Sequence, residues 1–172
     1  LYPGSRFRMA DEQLENYLRQ LIESHRTPEV TIAWQGGEPT LMGLEFFQRS
    51  IEIAQKYANA RPGTTLQHTI QTNGTKIDND LAAFFKQNSF LVGLSVDGPQ
   101  DLHDTYRVNK GGEGSFEQVM KGWKALNENG VDVNILCTVH AANADQPLGV
   151  YHFFRDDLKA QFMQFIPLDN RD

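Results

Sequence analysis

Short apolar runs alternate with longer helical patterns along most of this 172-residue chain. Each predicted strand is followed by a segment whose apolar residues recur at helical spacing, and such alternation favours parallel strands joined by right-handed crossovers. The strands are predicted over residues 30–33, 65–72, 90–96, 131–139 and 161–166. We therefore predict an α/β fold, with a barrel-like sheet favoured over a flat one. Residues 1–172 should form a single domain, because no linker separates two parts.

Composition narrows the classes of function. Hydrophobic residues make up 40% and charged residues 22% of the chain, which is ordinary for a soluble globular protein. The net charge of −6 and the lack of a spanning apolar run predict no nucleic-acid partner and no membrane. A single cysteine, Cys137, excludes an internal disulfide and a cysteine-only metal site, and it fits a cytoplasmic location. The chain starts at Leu1 rather than at a methionine, so we expect a piece of a longer protein.

Polar turns follow three of the predicted strands. Gln35-Gly36-Gly37-Glu38 follows the first, Thr72-Asn73-Gly74 the second, and Ser95-Val96-Asp97-Gly98 the third. Parallel strands place these turns at one edge of the sheet, where α/β folds bind ligands. The usual glycine-rich fingerprints for nucleotide phosphates are absent from the sequence.

Each of these turns has two interpretations. The Gly36-Gly37-Glu38 turn is either a tight turn with a solvated glutamate, or a place where the backbone approaches a ligand and Glu38 accepts from an ammonium group. The Ser95 hydroxyl binds either a ribose or a neighbouring backbone group. Asp97-Gly98-Pro99 is most often a simple turn, and the same interpretation is favoured for Gly74 but less so for Thr72 and Asn73. Arg107 is either a surface charge or a bidentate donor to a carboxylate ligand.

Other polar residues receive structural interpretations. Cys137 should be a buried thiol and His68 a core histidine. Asp101-Leu102-His103-Asp104 lacks a third metal ligand at a recognisable spacing, so we interpret it as loop surface or a substrate contact. Ser115, with Gln118 three residues later, predicts a capping box at the start of a helix.

Several segments together are similar to one enzyme family. Gln35-Gly36-Gly37-Glu38-Pro39-Thr40, Gln71-Thr72-Asn73-Gly74-Thr75 and Ser95-Val96-Asp97-Gly98-Pro99 resemble the radical S-adenosylmethionine superfamily. Their order and spacing are most similar to the anaerobic sulfatase-maturating enzymes, and residues 104–107, 114–116 and 134–139 strengthen the match. The resemblance covers nearly the whole chain.

The resemblance implies a partial (β/α)6 barrel that is truncated here at both ends, with S-adenosylmethionine as cofactor. In that family the glycine-glycine-glutamate turn binds the methionine amino group. By matched position, Ser95 would contact the ribose, Arg107 the methionyl carboxylate and Leu168 the region of the adenine. The implied cofactor-binding set is Gln35, Gly36, Gly37, Glu38, Thr72, Asn73, Ser95, Arg107 and Leu168.

The implied reaction is reductive cleavage of S-adenosylmethionine to a 5′-deoxyadenosyl radical, which oxidises a cysteine or serine of a sulfatase to formylglycine. The implied partners are a sulfatase polypeptide and an electron donor such as a flavodoxin or ferredoxin. Thr72 and Asn73 would face the cofactor and the substrate. Two alternatives stay open: another radical maturase that modifies a peptide, and a non-catalytic barrel-like binding module.

The chain departs from that family in its cysteines. The C-x-x-x-C-x-x-C motif for the catalytic [4Fe–4S] cluster is absent and is expected before Leu1, and the cysteine-rich C-terminal domain and the proton acceptor are expected beyond the other end. We therefore predict that this chain holds no metal and is inactive by itself, with its catalytic residues unassigned. Its first strand would then be an unpaired edge, and we expect self-association or partial disorder there.

Overall fold

The structure is a computed structural model that describes residues 8–168. Five strands form one sheet in the order β1-β2-β3-β4-β5, and these are β1 Glu29–Trp34, β2 Thr65–Thr72, β3 Phe90–Ser95, β4 Asp132–Val139 and β5 Phe162–Pro167. The α-helices are α1 Asp11–Ser24, α2 Leu44–Asn59, α3 Asn79–Gln87, α4 Gln100–His103, α5 Phe116–Glu128 and α6 Pro147–His152. A 3-10 turn covers Pro39–Met42, and a π-helical turn covers Phe153–Asp157 after α6.

The pairing of the strands confirms the predicted α/β class. β2 pairs with β3, β3 with β4 and β4 with β5, and all three pairs are parallel. Thr72 is in register with Leu94 at the end of β2, and Ser95 is in register with Leu136. The carboxyl ends of these strands therefore lie at a common edge, as the sequence predicted.

The residues group into two compact units. Within the described residues, one unit comprises residues 8–32 together with Met42–Gln67, and the other comprises Ala33–Leu41 together with residues 68–168. In the first unit, α1 and α2 bury apolar faces that include Leu14 and Phe47, both fully buried. The prediction of a single domain and that of self-association at the first strand stay predictions.

The second unit contains all of the polar turns singled out above. Its core holds a group of rings in which His68 stacks on Phe90 with centroids 5.1 Å apart, and Phe85 lies 4.8 Å from Phe90. Cys137 is 1% exposed, and burial raises the pKa of its thiol to about 12, so it is an unreactive core residue, as predicted.

The apolar strand β3 is not covered on both faces along its whole length, because Leu91 is 46% exposed. Among residues 8–168, no helix is long and apolar enough to cross a membrane.

His68 makes a testable contribution to acid sensitivity. Burial lowers its pKa from 6.5 to about 4, so the unfolded chain binds a proton more readily than the folded one as the pH falls through that range. The contribution of neutral His68 to the free energy of unfolding is therefore fully present above about pH 6.5. It decreases toward pH 4, by at most about 3 kcal/mol. We expect His68→Leu to lose less stability between about pH 7 and about pH 4.5 than the wild type in urea titrations. Carboxylates present in both the wild type and the variant contribute equally, so their effects cancel in this comparison. Parallel curves of stability against pH for the two proteins would contradict the prediction.

Candidate functional site

A cavity of about 390 Å³ lies at the carboxyl ends of the strands within the second unit. Eight of the nine predicted cofactor-binding residues line it, together with Gln71, whose side chain accepts a 2.7 Å hydrogen bond from Gln35. The eight are Gln35, Gly36, Gly37, Glu38, Thr72, Asn73, Ser95 and Arg107. The ninth, Leu168, lies in a neighbouring cavity, and Arg107 lines both.

Glu38 lines this cavity, and its carboxylate bonds two of the segments around it. Its Oε1 accepts hydrogen bonds from the Thr40 backbone N–H at 3.0 Å, the Thr40 hydroxyl at 2.6 Å and the Thr72 hydroxyl at 2.7 Å. Its Oε2 accepts from the Asn73 N–H at 2.7 Å. Glu38 is therefore not a freely solvated glutamate. The carboxylate joins the glycine turn to the end of β2 and keeps acceptor capacity on Oε2 for one further donor.

The two glycines of the turn are required by backbone conformation. Gly36 has φ of 100° and Gly37 has φ of 57°, a region that favours glycine. A Cβ built at either position would meet no atom within 4 Å. The backbone here is therefore open on the side where side chains would otherwise stand, which allows close approach of a ligand.

Thr72 and Asn73 act mainly as supports for the turn. Thr72 is 2% exposed, and its hydroxyl accepts from the Gly74 N–H at 3.0 Å while it donates to Glu38. Asn73 Oδ1 accepts from both the N–H and the hydroxyl of Thr75. The turn interpretation thus holds for Asn73-Gly74. Ser95, 9% exposed at the end of β3, lines the same cavity.

Arg107 is engaged differently from the sequence interpretation. Its Nε donates to Asp97 Oδ2 at 2.5 Å and its Nη2 to Asp97 Oδ1 at 3.0 Å, so the bidentate face of the guanidinium is occupied by a protein carboxylate. Nη2 also donates to the Thr138 hydroxyl at 3.2 Å. These three contacts leave the N–H groups of Nη1 as the donors that a ligand can use.

Asp97 is the site residue that sequence reasoning missed. It was interpreted as part of a simple turn, yet it is 2% exposed and also accepts from the Thr138 N–H at 2.8 Å. The sequence did carry a signal, namely a carboxylate just after an apolar strand with a lone arginine ten positions later. A buried carboxylate requires such a partner.

His103 is a buried residue that lies against Asp97 and Ser115. The interpretation as loop surface or substrate contact is wrong, since His103 is 0% exposed and its Nδ1 accepts from the Asp97 N–H at 3.3 Å. Its Nε2 lies 3.1 Å from the Ser115 hydroxyl, which in turn donates to the Arg107 carbonyl at 2.8 Å. Burial, assisted by the nearby Arg107 charge, lowers the pKa of His103 to about 4, so the ring is neutral.

The prediction of a capping box at Ser115 is also wrong, because the Ser115 hydroxyl bonds another part of the chain. The Ser115 hydroxyl is used by Arg107, and the Phe116 N–H at the start of α5 donates to Asp104 Oδ1 at 2.9 Å. The segment that carries Arg107 is thereby fastened at both ends, and its backbone is fixed near the cavity.

The neighbouring cavity has a volume of about 660 Å³. Leu168 is 55% exposed at its rim, and the exposed Tyr106 ring packs against the buried His140 ring with centroids 4.7 Å apart. The two cavities share Arg107, so the structure brings Leu168 near the other predicted residues without placing it among them.

Residues 2–154 match the family model described as the Radical SAM superfamily. A serine-type anaerobic sulfatase-maturating enzyme of Bacteroides thetaiotaomicron is 40% identical over 95% of this chain, and a cysteine-type enzyme of Clostridium novyi is 44% identical over 80% of it. The chain spans only 38% and 36% of the length of these two relatives.

The fold is also similar to that of a solved structure. The structure described as native anSMEcpe with bound AdoMet and Cp18Cys peptide superposes with a TM-score of 0.89 and 36% sequence identity. The match covers 97% of this chain and 45% of that chain. A partial barrel is consistent with this likeness.

Proposed function

Because the chain belongs to the radical S-adenosylmethionine superfamily, we propose that it is the cofactor-binding core of an anaerobic sulfatase maturase. The observation that carries the proposal is the cavity at the strand ends, where eight predicted residues meet in a chain about 40% identical to such maturases. A solved relative with bound AdoMet and a peptide supports it further.

The residues present fit an S-adenosylmethionine molecule. The open backbone at Gly36 and Gly37 offers carbonyl groups to the methionine amino group, and Glu38 Oε2 keeps room for one donor. The Nη1 of Arg107 is available to the carboxylate, and the Ser95 hydroxyl to the ribose. Leu168 offers an apolar contact to the adenine from the adjoining cavity.

Once bound and given one electron by the electron donor, this cofactor would supply a 5′-deoxyadenosyl radical for abstraction of hydrogen from the Cβ of a sulfatase cysteine or serine. The part of this chain is to bind and orient the cofactor and to form part of the substrate wall. The chain does not fit a [4Fe–4S] cluster, because its single thiol is buried with a pKa raised to about 12.

The proposed partners follow from the same assignment. They are a sulfatase polypeptide, in line with the peptide bound to the solved relative, and an electron donor such as a flavodoxin or ferredoxin. We place the full-length protein in the cytoplasm, a compartment that keeps thiols reduced.

The test uses the full-length protein that contains this chain, reconstituted anaerobically with iron and sulfide. Incubation with S-adenosylmethionine, a reductant and a sulfatase peptide should yield 5′-deoxyadenosine and formylglycine. Formation of 5′-deoxyadenosine without formylglycine would favour another peptide-modifying maturase. Absence of both would favour a non-catalytic binding module.

A further inference from the structure

Asp97 is more deeply buried than the arginine that it binds. The exposed fraction of the side chain is 3% for Asp97 and 25% for Arg107. Asp97 lines only the cavity beside Leu168, whereas Arg107 lines both cavities. Both oxygens of the Asp97 carboxylate bond protein groups, through the two contacts from Arg107 and the one from the Thr138 N–H, and Oδ2 also lies 3.7 Å from His140 Nε2. The carboxylate of Asp97 therefore holds the Arg107 side chain in place.

The backbone of Asp97 is held as firmly as its carboxylate. Its N–H donates to His103, and its carbonyl accepts from Asn143 Nδ2 at 3.0 Å. Asn143 is 3% exposed and also bonds the Thr138 carbonyl at 2.9 Å. The carboxylate is thus a fixed point in the fold, attached to the ends of β3 and β4.

The side-on geometry of the ion pair determines which part of Arg107 faces the ligand. With Nε and Nη2 bound to Asp97 and Nη2 also bound to Thr138, the guanidinium plane can neither rotate nor offer its bidentate face. A ligand carboxylate must then be met through Nη1. A long arginine side chain left free would lose conformational entropy on binding, and this pairing removes most of that cost in advance.

We propose that Asp97 is a positioning residue, which orients Arg107 so that Nη1 receives the carboxylate of the bound S-adenosylmethionine. The inference rests on the proposed function of the cavity. The role is selective, because only ligands with a carboxylate depend on the orientation of Arg107.

The test compares two ligands on the reconstituted full-length protein. S-adenosylmethionine carries the methionine carboxylate, and 5′-methylthioadenosine lacks it. We expect Asp97→Asn to weaken binding of S-adenosylmethionine by about tenfold to about a hundredfold in calorimetric titrations, the range for a lost charge-assisted hydrogen bond. Binding of 5′-methylthioadenosine should be unchanged. Asp101→Asn is the matched control, because it alters an exposed carboxylate of α4 in the same part of the chain.

A second variant keeps the test valid if Asp97→Asn does not fold. Thr138→Val removes the hydroxyl contact to Nη2 and keeps the backbone N–H that bonds Asp97. Thr138→Val should also weaken binding of S-adenosylmethionine and not of 5′-methylthioadenosine, by a smaller factor than Asp97→Asn. Equal weakening of both ligands, or of neither, would overturn the positioning role. A wild-type protein that binds neither ligand would instead contradict the proposed function, and this inference with it.

Discussion

Glu38→Gln should destabilise the chain by about 2 kcal/mol and weaken binding of S-adenosylmethionine at least about tenfold in the full-length protein. The carboxylate accepts four hydrogen bonds, from two groups of Thr40, from the Thr72 hydroxyl and from the Asn73 N–H. An amide in its place presents a donor where the protein already presents donors. One of these groups is then left without an acceptor, and the glycine turn is released from the end of β2.

The measurement combines urea unfolding with calorimetric titration of the cofactor. Glu45→Gln is the matched control, because Glu45 is an exposed residue of α2 and the same substitution there should change stability by less than about 0.5 kcal/mol. Equal stability and equal cofactor affinity in Glu38→Gln and the wild type would show that the hydrogen bonds of the Glu38 carboxylate contribute to neither.

Gly122→Ala should destabilise the chain by about 2 kcal/mol, although alanine normally stabilises a helix relative to glycine by about 1 kcal/mol. Gly122 lies in α5, and a Cβ there would stand 2.3 Å from the carbonyl oxygen of Gly74. That oxygen belongs to the backbone of the turn after β2, which cannot move without disturbing Asn73 and its bond to Glu38. The expected sign is therefore opposite to that predicted from helix propensity.

Gly149→Ala is the control for this prediction. Gly149 lies in α6, and a Cβ there would meet no atom within 4 Å, so alanine should be neutral or stabilising by up to about 1 kcal/mol. Urea unfolding of the two variants and the wild type gives the comparison. Stabilisation by Gly122→Ala would contradict the close contact between α5 and the turn.

The sequence predicted the position of the candidate site because parallel strands have a regular geometry. β2 was predicted over the residues where it is found, β2 and β3 are parallel and end at one edge, and the turn after β1 lines the same cavity as the ends of these two strands. Residue types at strand ends indicated the turns, and the family resemblance implied the set of nine residues, of which eight line one cavity.

The hydrogen-bonding partners in the site could not be predicted in the same way. Glu38 bonds Thr72 and Asn73, which lie 34 and 35 positions later in the sequence. No local pattern specifies which donors a carboxylate will meet at that separation. Ser115 looked like a helix cap by its spacing, yet tertiary contact assigns its hydroxyl to Arg107 and gives the cap to Asp104. Periodicity reports which face is buried, and it does not report which polar atoms pair within it.

The central claim is that the cavity between the glycine turn, Ser95 and Arg107 holds S-adenosylmethionine. The most direct measurement is an anaerobic crystal structure of the full-length protein with this cofactor. We expect the methionine amino group against the Gly36-Gly37-Glu38 turn, its carboxylate at Nη1 of Arg107 and the adenine beside Leu168. Cofactor bound elsewhere, or this cavity empty at a saturating cofactor concentration, would contradict this assignment.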